Sequence, residues 1–268
     1  MMNSLETNKI YHSDCIPWMK ELPTRSIDMI LCDLPYGTTA CAWDQVIPFE
    51  KLWEQYERII KDNGAIVLTA SQPFTSLLVT SNLKLFKYEW IYQKVVGSNF
   101  ATAKYMPMKE HENVLVFGKG KTKYNPIMQE RSESGKKRLE TPYHTNSETS
   151  LETMGNIART NAGKEYDKEM RYPSSVQKFN NRAVGARGFH PTGKPIELFE
   201  YLIRTYTDEG DLVMDNCIGG GTTAIAAIRT NRRFIGCELN KDYYDIAVKR
   251  IETEGSDNGE NKQSSMFD

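Results

Sequence analysis

Short apolar runs and longer amphipathic stretches alternate along most of this chain. Residues 27–33, 65–69, 212–215 and 233–238 are brief, rich in β-branched and aliphatic side chains, and bounded by polar or glycine-containing turns, the pattern of strands buried on both faces. Residues 9–13, 88–96 and 113–117 read as further strands, the last two forming an antiparallel edge. Helical periodicity is clearest over residues 48–61, where Phe49, Leu52, Trp53, Tyr56, Ile59 and Ile60 share one face. Shorter helices are predicted over 16–22, 73–80, 195–206, 222–229 and 241–252, with Pro195 suited to a first turn. Asp62-Asn63-Gly64 and Asp208-Glu209-Gly210 read as turns that end the preceding helices. Alternation of this kind predicts an α/β fold around a mostly parallel sheet.

The alternation lapses across residues 119–187. This stretch is poor in aliphatic side chains and holds fourteen Lys or Arg against eight Asp or Glu, a balance of +6 in a chain of net charge −1. Lys136, Lys137 and Arg138 form its densest basic cluster, with Tyr143, Tyr166 and Tyr172 interspersed. Composition leaves two readings open: a solvated insertion, or a surface that faces nucleic-acid phosphates. Hydrophobic residues make up 39% of the 268, and no apolar run approaches the ~20 residues of a membrane-spanning helix. The polar N-terminal residues lack the apolar core of a signal peptide. Cys15, Cys32, Cys41, Cys217 and Cys237 are odd in number and show no Cys-x-x-Cys spacing. That disfavours a disulfide framework or zinc site, so no metal centre is predicted and a reducing cytoplasm fits best.

Two segments carry the candidate chemistry. Asp215-Asn216-Cys217-Ile218-Gly219-Gly220-Gly221-Thr222-Thr223 follows a strand and opens a helix. It would present free backbone N–H groups and a surface without side chains at the carboxyl edge of the sheet. Gly219-x-Gly221-x-x-Ala224 meets the dinucleotide fingerprint, and Glu238 ends the next strand nineteen residues after Gly219, placed to accept hydrogen bonds from ribose hydroxyls. Tight strand–helix packing would also explain the glycines. Of two cofactor classes, nicotinamide dinucleotides and S-adenosylmethionine, Asp215 favours the second, because an acid there repels a pyrophosphate and suits cationic amino and sulfonium groups.

Asp33-Leu34-Pro35-Tyr36-Gly37 supplies a carboxylate, a backbone carbonyl and an aromatic face, although it is also good turn chemistry. The amino group of a nucleobase is a poor nucleophile because its lone pair is delocalised into the ring. Two acceptors aimed at its hydrogens, the Asp33 carboxylate and the Leu34 carbonyl oxygen, would draw the nitrogen toward tetrahedral geometry while Tyr36 stacks on the ring. Such a site takes a base that is out of the helix.

Together these segments resemble the two signature motifs of the S-adenosylmethionine-dependent DNA amino-methyltransferases, Asp-Pro-Pro-Tyr and a glycine-containing cofactor loop. His190-Pro191-Thr192-Gly193-Lys194-Pro195 resembles the His-Pro-Thr-x-Lys-Pro segment of that family's β-group. Phe234-Ile235-Gly236-Cys237-Glu238 resembles its ribose-binding acidic strand, and His12-Ser13-Asp14-Cys15 its opening, whose acidic residue reaches the cofactor adenine. The motif order, catalytic first and cofactor loop last, is that of the β-group. The resemblance implies a circularly permuted, Rossmann-like methyltransferase sheet with one antiparallel edge strand and an inserted target-recognition region. Residues 1–118 would then form a catalytic half, 119–188 the insertion, 189–254 a cofactor-binding half and 255–268 a flexible tail.

The same resemblance implies site-specific transfer of a methyl group from S-adenosylmethionine to the exocyclic amino nitrogen of a flipped-out DNA base. Asp33, Leu34, Pro35 and Tyr36 would be the catalytic segment. Asp14, Cys15, Thr192 and Lys194 would hold the cofactor together with Asp215, Gly219, Gly221, Thr222 and Glu238, and Lys136, Lys137 and Arg138 would contact DNA. β-group enzymes often form homodimers, but the sequence assigns no surface to that role and identifies no cognate restriction enzyme. Asp33 in the first position points to adenine N6 rather than cytosine N4, where Ser is commoner. RNA and protein-glutamine enzymes share the chemistry, but the latter usually carry Asn first and the former seldom have this order. A non-catalytic DNA-binding relative is opposed by the intact Asp33, Tyr36, Glu238 and glycine loop. Five positions depart from the family pattern. Leu34 replaces a proline, so the loop must be held by other packing. Asn216 and Cys217 stand where Pro-Phe is usual, Gly193 where glutamine is common and Gly220 where serine is.

Overall fold

Alternate residues of the central strands face opposite ways, and both sets are buried. The structure, a computed structural model, describes residues 6–38, 44–140, 167–182 and 193–264. In chain order its elements are β1 (Lys9–His12), α1 (Cys15–Glu21), β2 (Ile27–Asp33), α2 (Phe49–Ile59), β3 (Ile60–Ala70), α3 (Phe74–Ser81), β4 (Phe86–Ser98) and β5 (Lys109–Phe117). There follow β6 (Gln129–Glu130), α4 (Glu133–Glu140), β7 (Met170–Arg171), β8 (Val176–Phe179), α5 (Ile196–Tyr206), β9 (Leu212–Asp215), α6 (Thr222–Arg229), β10 (Arg233–Glu238) and α7 (Lys241–Ser264). Ile30, Cys32, Ile66, Leu68, Leu115 and Phe117 pack with Trp53, Tyr56 and Phe74 of α2 and α3. Met29, Leu31, Ala65, Val67, Val114 and Val116 pack with Leu198, Leu202 and Ile203 of α5 and Ala224 and Ala227 of α6. Burial on both faces is why these strands read as unbroken apolar runs.

Eight strands form one sheet in the order β1-β10-β9-β2-β3-β5-β4-β8. All pairs from β1 to β3 are parallel, and β5, in the edge portion of the sheet, is the one reversed strand. At the centre β2 pairs with β9, Met29 opposite Val213 and Ile30 opposite Met214. The chain leaves β2 through α2 toward β3, and leaves β9 through α6 toward β10, on opposite sides of this pair. The loops after β2 and β9 therefore flank a crevice at the carboxyl edge, where α/β sheets bind ligands.

Local details differ from the sequence pattern. Asp62-Asn63-Gly64 does not end in a loop but lies inside β3, where the pairing with β2 slips between Ile27 and Met29. β8 extends the sheet edge from within the polar stretch, pairing Ile91 with Val176 through Lys94 with Phe179. Four residues are too short to display a period. α7 runs on to Ser264 through the residues expected as a tail, since a formed helix adds one hydrogen bond for each residue fixed. Residues 126–174 make a compact unit of their own, and residues 119–125 and those from 175 onward belong to the main unit. The described part of the smaller unit holds α4 and the β6–β7 ladder, with Gln129 opposite Arg171. Among the described residues no helix is long and apolar enough to cross a membrane.

Gly236 shows how closely β10 and the loop after β9 approach. A Cβ there would lie 2.5 Å from Ile218 Cδ1 and 2.9 Å from the Asp215 carbonyl oxygen. Gly236→Ala is expected to destabilise the fold by about 1–3 kcal/mol, read as a lowered urea midpoint with an unchanged slope.

Candidate active site

Asp33 ends β2 and sits opposite Thr69 of β3. Its Oδ1 accepts hydrogen bonds from the Tyr36 hydroxyl at 2.7 Å and from the Thr69 hydroxyl, while Oδ2 accepts from Lys194 Nζ at 2.5 Å. The Tyr36 ring stacks on Phe74, with centroids 5.1 Å apart and planes at 23°, and Lys194 Nζ lies 5.6 Å from its centroid. Lys194 Nζ is also 3.3 Å from Glu112 Oε2, and Glu112 Oε1 pairs with Lys94 Nζ at 2.5 Å. The Leu34 side chain is buried in the core, which supplies the packing that a proline would not need. Past the turn, where Gly37 has φ +67°, the Asp44 carboxylate accepts the N–H groups of Gly37 at 2.8 Å and Thr38 at 2.9 Å. The loop is thus pinned at both ends.

Charge at this end is balanced by pairing. Burial works against the Lys194 ammonium, but Asp33, Tyr36 and Glu112 outweigh it and hold its pKa well above that of an ordinary lysine. Burial likewise opposes the Glu112 carboxylate, and Lys194 and Lys94 nonetheless keep it below the usual glutamate value. Burial pushes the Tyr36 phenol well up, so it stays a hydrogen-bond donor.

The opposite end is built from the loop after β9. Gly219 and Gly221 adopt φ of +51° and +85°, a left-handed conformation that favours glycine, and Gly221 is the N-cap of α6. Asp215 is 2% exposed. Its oxygens accept the Cys217 N–H at 3.0 Å and the Thr223 hydroxyl, and burial pushes its carboxyl up to about 6. Glu238 accepts the Gly219 N–H at 2.9 Å and the Asn240 N–H at 2.8 Å, and burial raises its pKa also. Asn216 is buried and accepts the Tyr56 hydroxyl at 2.5 Å. Asp14, exposed after β1, caps α1 through the Ile16 N–H at 2.9 Å.

Both ends line one cavity of about 1110 Å³. Its lysines, Lys94, Lys109 and Lys194, stand on the β4, β5 and pre-α5 side; among the described residues lining the glycine-loop side there is no Lys or Arg. Carboxylates and a glycine turn there suit a nucleoside bearing cationic groups and oppose a pyrophosphate.

Most residues expected from sequence converge here. Asp33, Leu34, Pro35, Tyr36, Asp14, Cys15, Lys194, Asp215, Gly219, Thr222 and Glu238 all line the cavity, and Gly221 packs behind them, where a Cβ would lie 3.2 Å from that of Ala247. Lys194, expected beside the cofactor, makes its contacts with Asp33, Tyr36 and Glu112. Thr192 and the Arg138 side chain lie outside the described residues. In α4 the Lys136 ammonium pairs with Glu133 at 3.6 Å and with Glu169, while Lys137 is exposed. Sequence reasoning missed Thr69, Phe74, Lys94 and Glu112. Glu112 left one trace, a charge just before the buried run of β5.

Known proteins resemble this chain over most of its length. The family model described as DNA methylase matches residues 27–249. The chain is 27% identical over 259 residues to the type II methyltransferase M.HpaI of Haemophilus parainfluenzae, covering 90% of this chain and 73% of that protein. It is 26% identical over 269 residues to the DNA adenine methyltransferase YhdJ of Escherichia coli strain K12, covering 92% and 83%. The crystal structure of the M1.HpyAVI-SAM complex superposes with a TM-score of 0.61 at 21% identity, over 91% of this chain and 98% of that one.

The raised Asp215 carboxyl makes ligand-free stability depend on pH. The unfolded chain releases this proton near the ordinary carboxylate value, whereas the native state holds it until about pH 6. Stability should therefore fall as pH rises from about 4 through 6, by up to about 3 kcal/mol from this group. Melting curves of wild type and Asp215→Asn over pH 4–8 should differ by this limb, flattened in the variant.

Proposed function

This chain belongs to the N6/N4 family of DNA methylases, S-adenosylmethionine-dependent DNA amino-methyltransferases, and we propose that its acceptor is the N6 amino group of adenine. The observation that carries the reading is the placement of Asp33, with Tyr36 bonded to it, across the switch point from the Gly219–Glu238 cradle in a single cavity. S-adenosylmethionine supplies an electrophilic methyl on its sulfonium sulfur. The protein's part is to hold and orient. The Asp33 carboxylate and the Leu34 carbonyl oxygen accept the two amino hydrogens, which turns the nitrogen lone pair toward the incoming methyl. Thr69 and Tyr36 already fix the Asp33 carboxylate, so little reorganisation remains at the moment of transfer. Tyr36, backed by Phe74, offers its other face to the extruded base. Glu238 and the Gly219 N–H lie where a ribose is received. Transfer is direct, without a covalent intermediate on the protein, and the surplus proton leaves to solvent. Catalysis is then chiefly positioning.

Asp33 in the first motif position supports adenine, as does the similarity to an adenine enzyme of Escherichia coli. Two acceptors around a conjugated amine would serve cytosine N4 equally well in physical terms, so the experiment must separate the bases. The basic stretch of residues 119–188, which contains the compact unit of residues 126–174, is read as the target-recognition region, with Lys137 as its exposed contact to phosphate. Four thiols without disulfides, Cys15, Cys32, Cys217 and Cys237, suit action in the cytoplasm.

Wild type incubated with duplex DNA and tritiated S-adenosylmethionine should label the DNA. Asp33→Ala should lose about 10²–10³ in kcat while retaining cofactor affinity by calorimetry. Base-resolved mapping of DNA from expressing cells should show 6-methyladenine within one sequence context. Methylated cytosine would overturn the choice of base, and unlabelled DNA the activity itself.

A further inference from the structure

Lys194 holds both contacts that the target base needs. Its Nζ lies 2.5 Å from Oδ2 of Asp33, the carboxylate read above as acceptor of an amino hydrogen, and 5.6 Å from the centroid of Tyr36, the ring on which the base would stack. The ammonium stands both over the Tyr36 ring and on the Asp33 oxygen that Tyr36 and Thr69 leave open, so a base that stacks on that ring and bonds that oxygen displaces the lysine. Lys194 is only 7% exposed, and a buried ammonium left without a partner is costly. A partner is at hand. Glu112 gives one oxygen to Lys94 at 2.5 Å; its other oxygen is buried, makes no hydrogen bond, and lies 3.3 Å from Lys194 Nζ. Glu112 thus offers a half-filled carboxylate beside the ion pair that must open.

We propose that Glu112 is a positioning residue that takes over the Lys194 ammonium when the target base takes Asp33. The inference rests on the base-methylation reading of the site. The hand-off keeps every buried charge paired: Lys94 and Lys194 share Glu112, and Asp33 keeps Thr69 and Tyr36 while it accepts the amine. It also serves the chemistry. Methyl transfer makes the acceptor nitrogen cationic, and an Asp33 released from Lys194 faces that developing charge alone, a stabilisation greater in the transition state than in the ground state.

A double-mutant cycle over Glu112→Gln and Lys194→Met tests this, with KM for DNA and kcat read separately, cofactor affinity by calorimetry and melting curves as fold control. Glu112→Gln should leave the ammonium on Asp33 and raise KM for DNA by about tenfold, with cofactor affinity unchanged. Once Lys194→Met has removed the competing ammonium, adding Glu112→Gln should raise KM no further. Glu112→Asp keeps the charge but shortens its reach, so it should fall between wild type and Glu112→Gln; it carries the same cycle if Glu112→Gln does not fold. An unchanged KM in Glu112→Gln, or equal increases in both backgrounds, overturns the hand-off and leaves Glu112 a structural residue. A wild type that transfers no methyl overturns the underlying reading, and the hand-off with it.

Discussion

The parallel pairing of β2 with β9 is the constraint on which the rest of this molecule depends. It joins Ile30 to Met214, residues far apart in the chain, and it is reinforced where Asp28 accepts the Leu212 N–H at 3.0 Å and Tyr56 bonds Asn216 at 2.5 Å. Because β1, β10, β9, β2 and β3 all run the same way, Asp14, Glu238, Asp215, Asp33 and Thr69 arrive at one edge of the sheet. The closure entropy of so long a connection grows only logarithmically, each doubling costing about 0.6 kcal/mol. A separate unit at residues 126–174 can therefore be carried between the two halves at little cost to their pairing.

The two ends of the cavity manage charge in opposite ways. At the acceptor end every buried charge has a counter-charge, and Lys94, Glu112, Lys194 and Asp33 form an alternating row. At the glycine loop the acids accept only neutral N–H and O–H groups, and burial raises both Asp215 and Glu238. Acids held in that state disfavour the empty protein and favour a ligand that brings positive charge. Binding the native state alone then adds stability by mass action. On the proposed reading, preference for a sulfonium cofactor over a dinucleotide follows from the same burial that places the loop.

The fold was largely legible because its signals are local. β2, β9, β10 and α6 fall where the pattern of apolar runs and glycine turns puts them, since strands buried on both faces leave unbroken apolar segments. β8 and the slip inside β3 were not legible. A four-residue edge strand shows no period, and Asp62-Asn63-Gly64 has the same turn chemistry whether it ends a helix or interrupts a strand. At the site, Asp33, Tyr36, Glu238 and the glycine loop were singled out by their resemblance to a family's motifs, since turn chemistry alone would also account for the segment at Asp33. Thr69 and Glu112 were not, for a threonine near the end of one strand and a glutamate within another carry no signal of their own.

The sequence by itself determined the order of the strands along the chain, the two loops that carry chemistry, and the types of group each would present. Only the tertiary structure decided which groups meet. Lys194 lies in the His-Pro-Thr-x-Lys-Pro segment, far from Asp33 in sequence, yet its ammonium rests on Asp33 because the segment before α5 crosses the carboxyl end of β2. That contact, and the Glu112 carboxylate beside it, depend on the register between β3 and β5 and on the path of the chain into α5. Periodicity records which face a residue occupies; it holds no record of which distant residue shares that face.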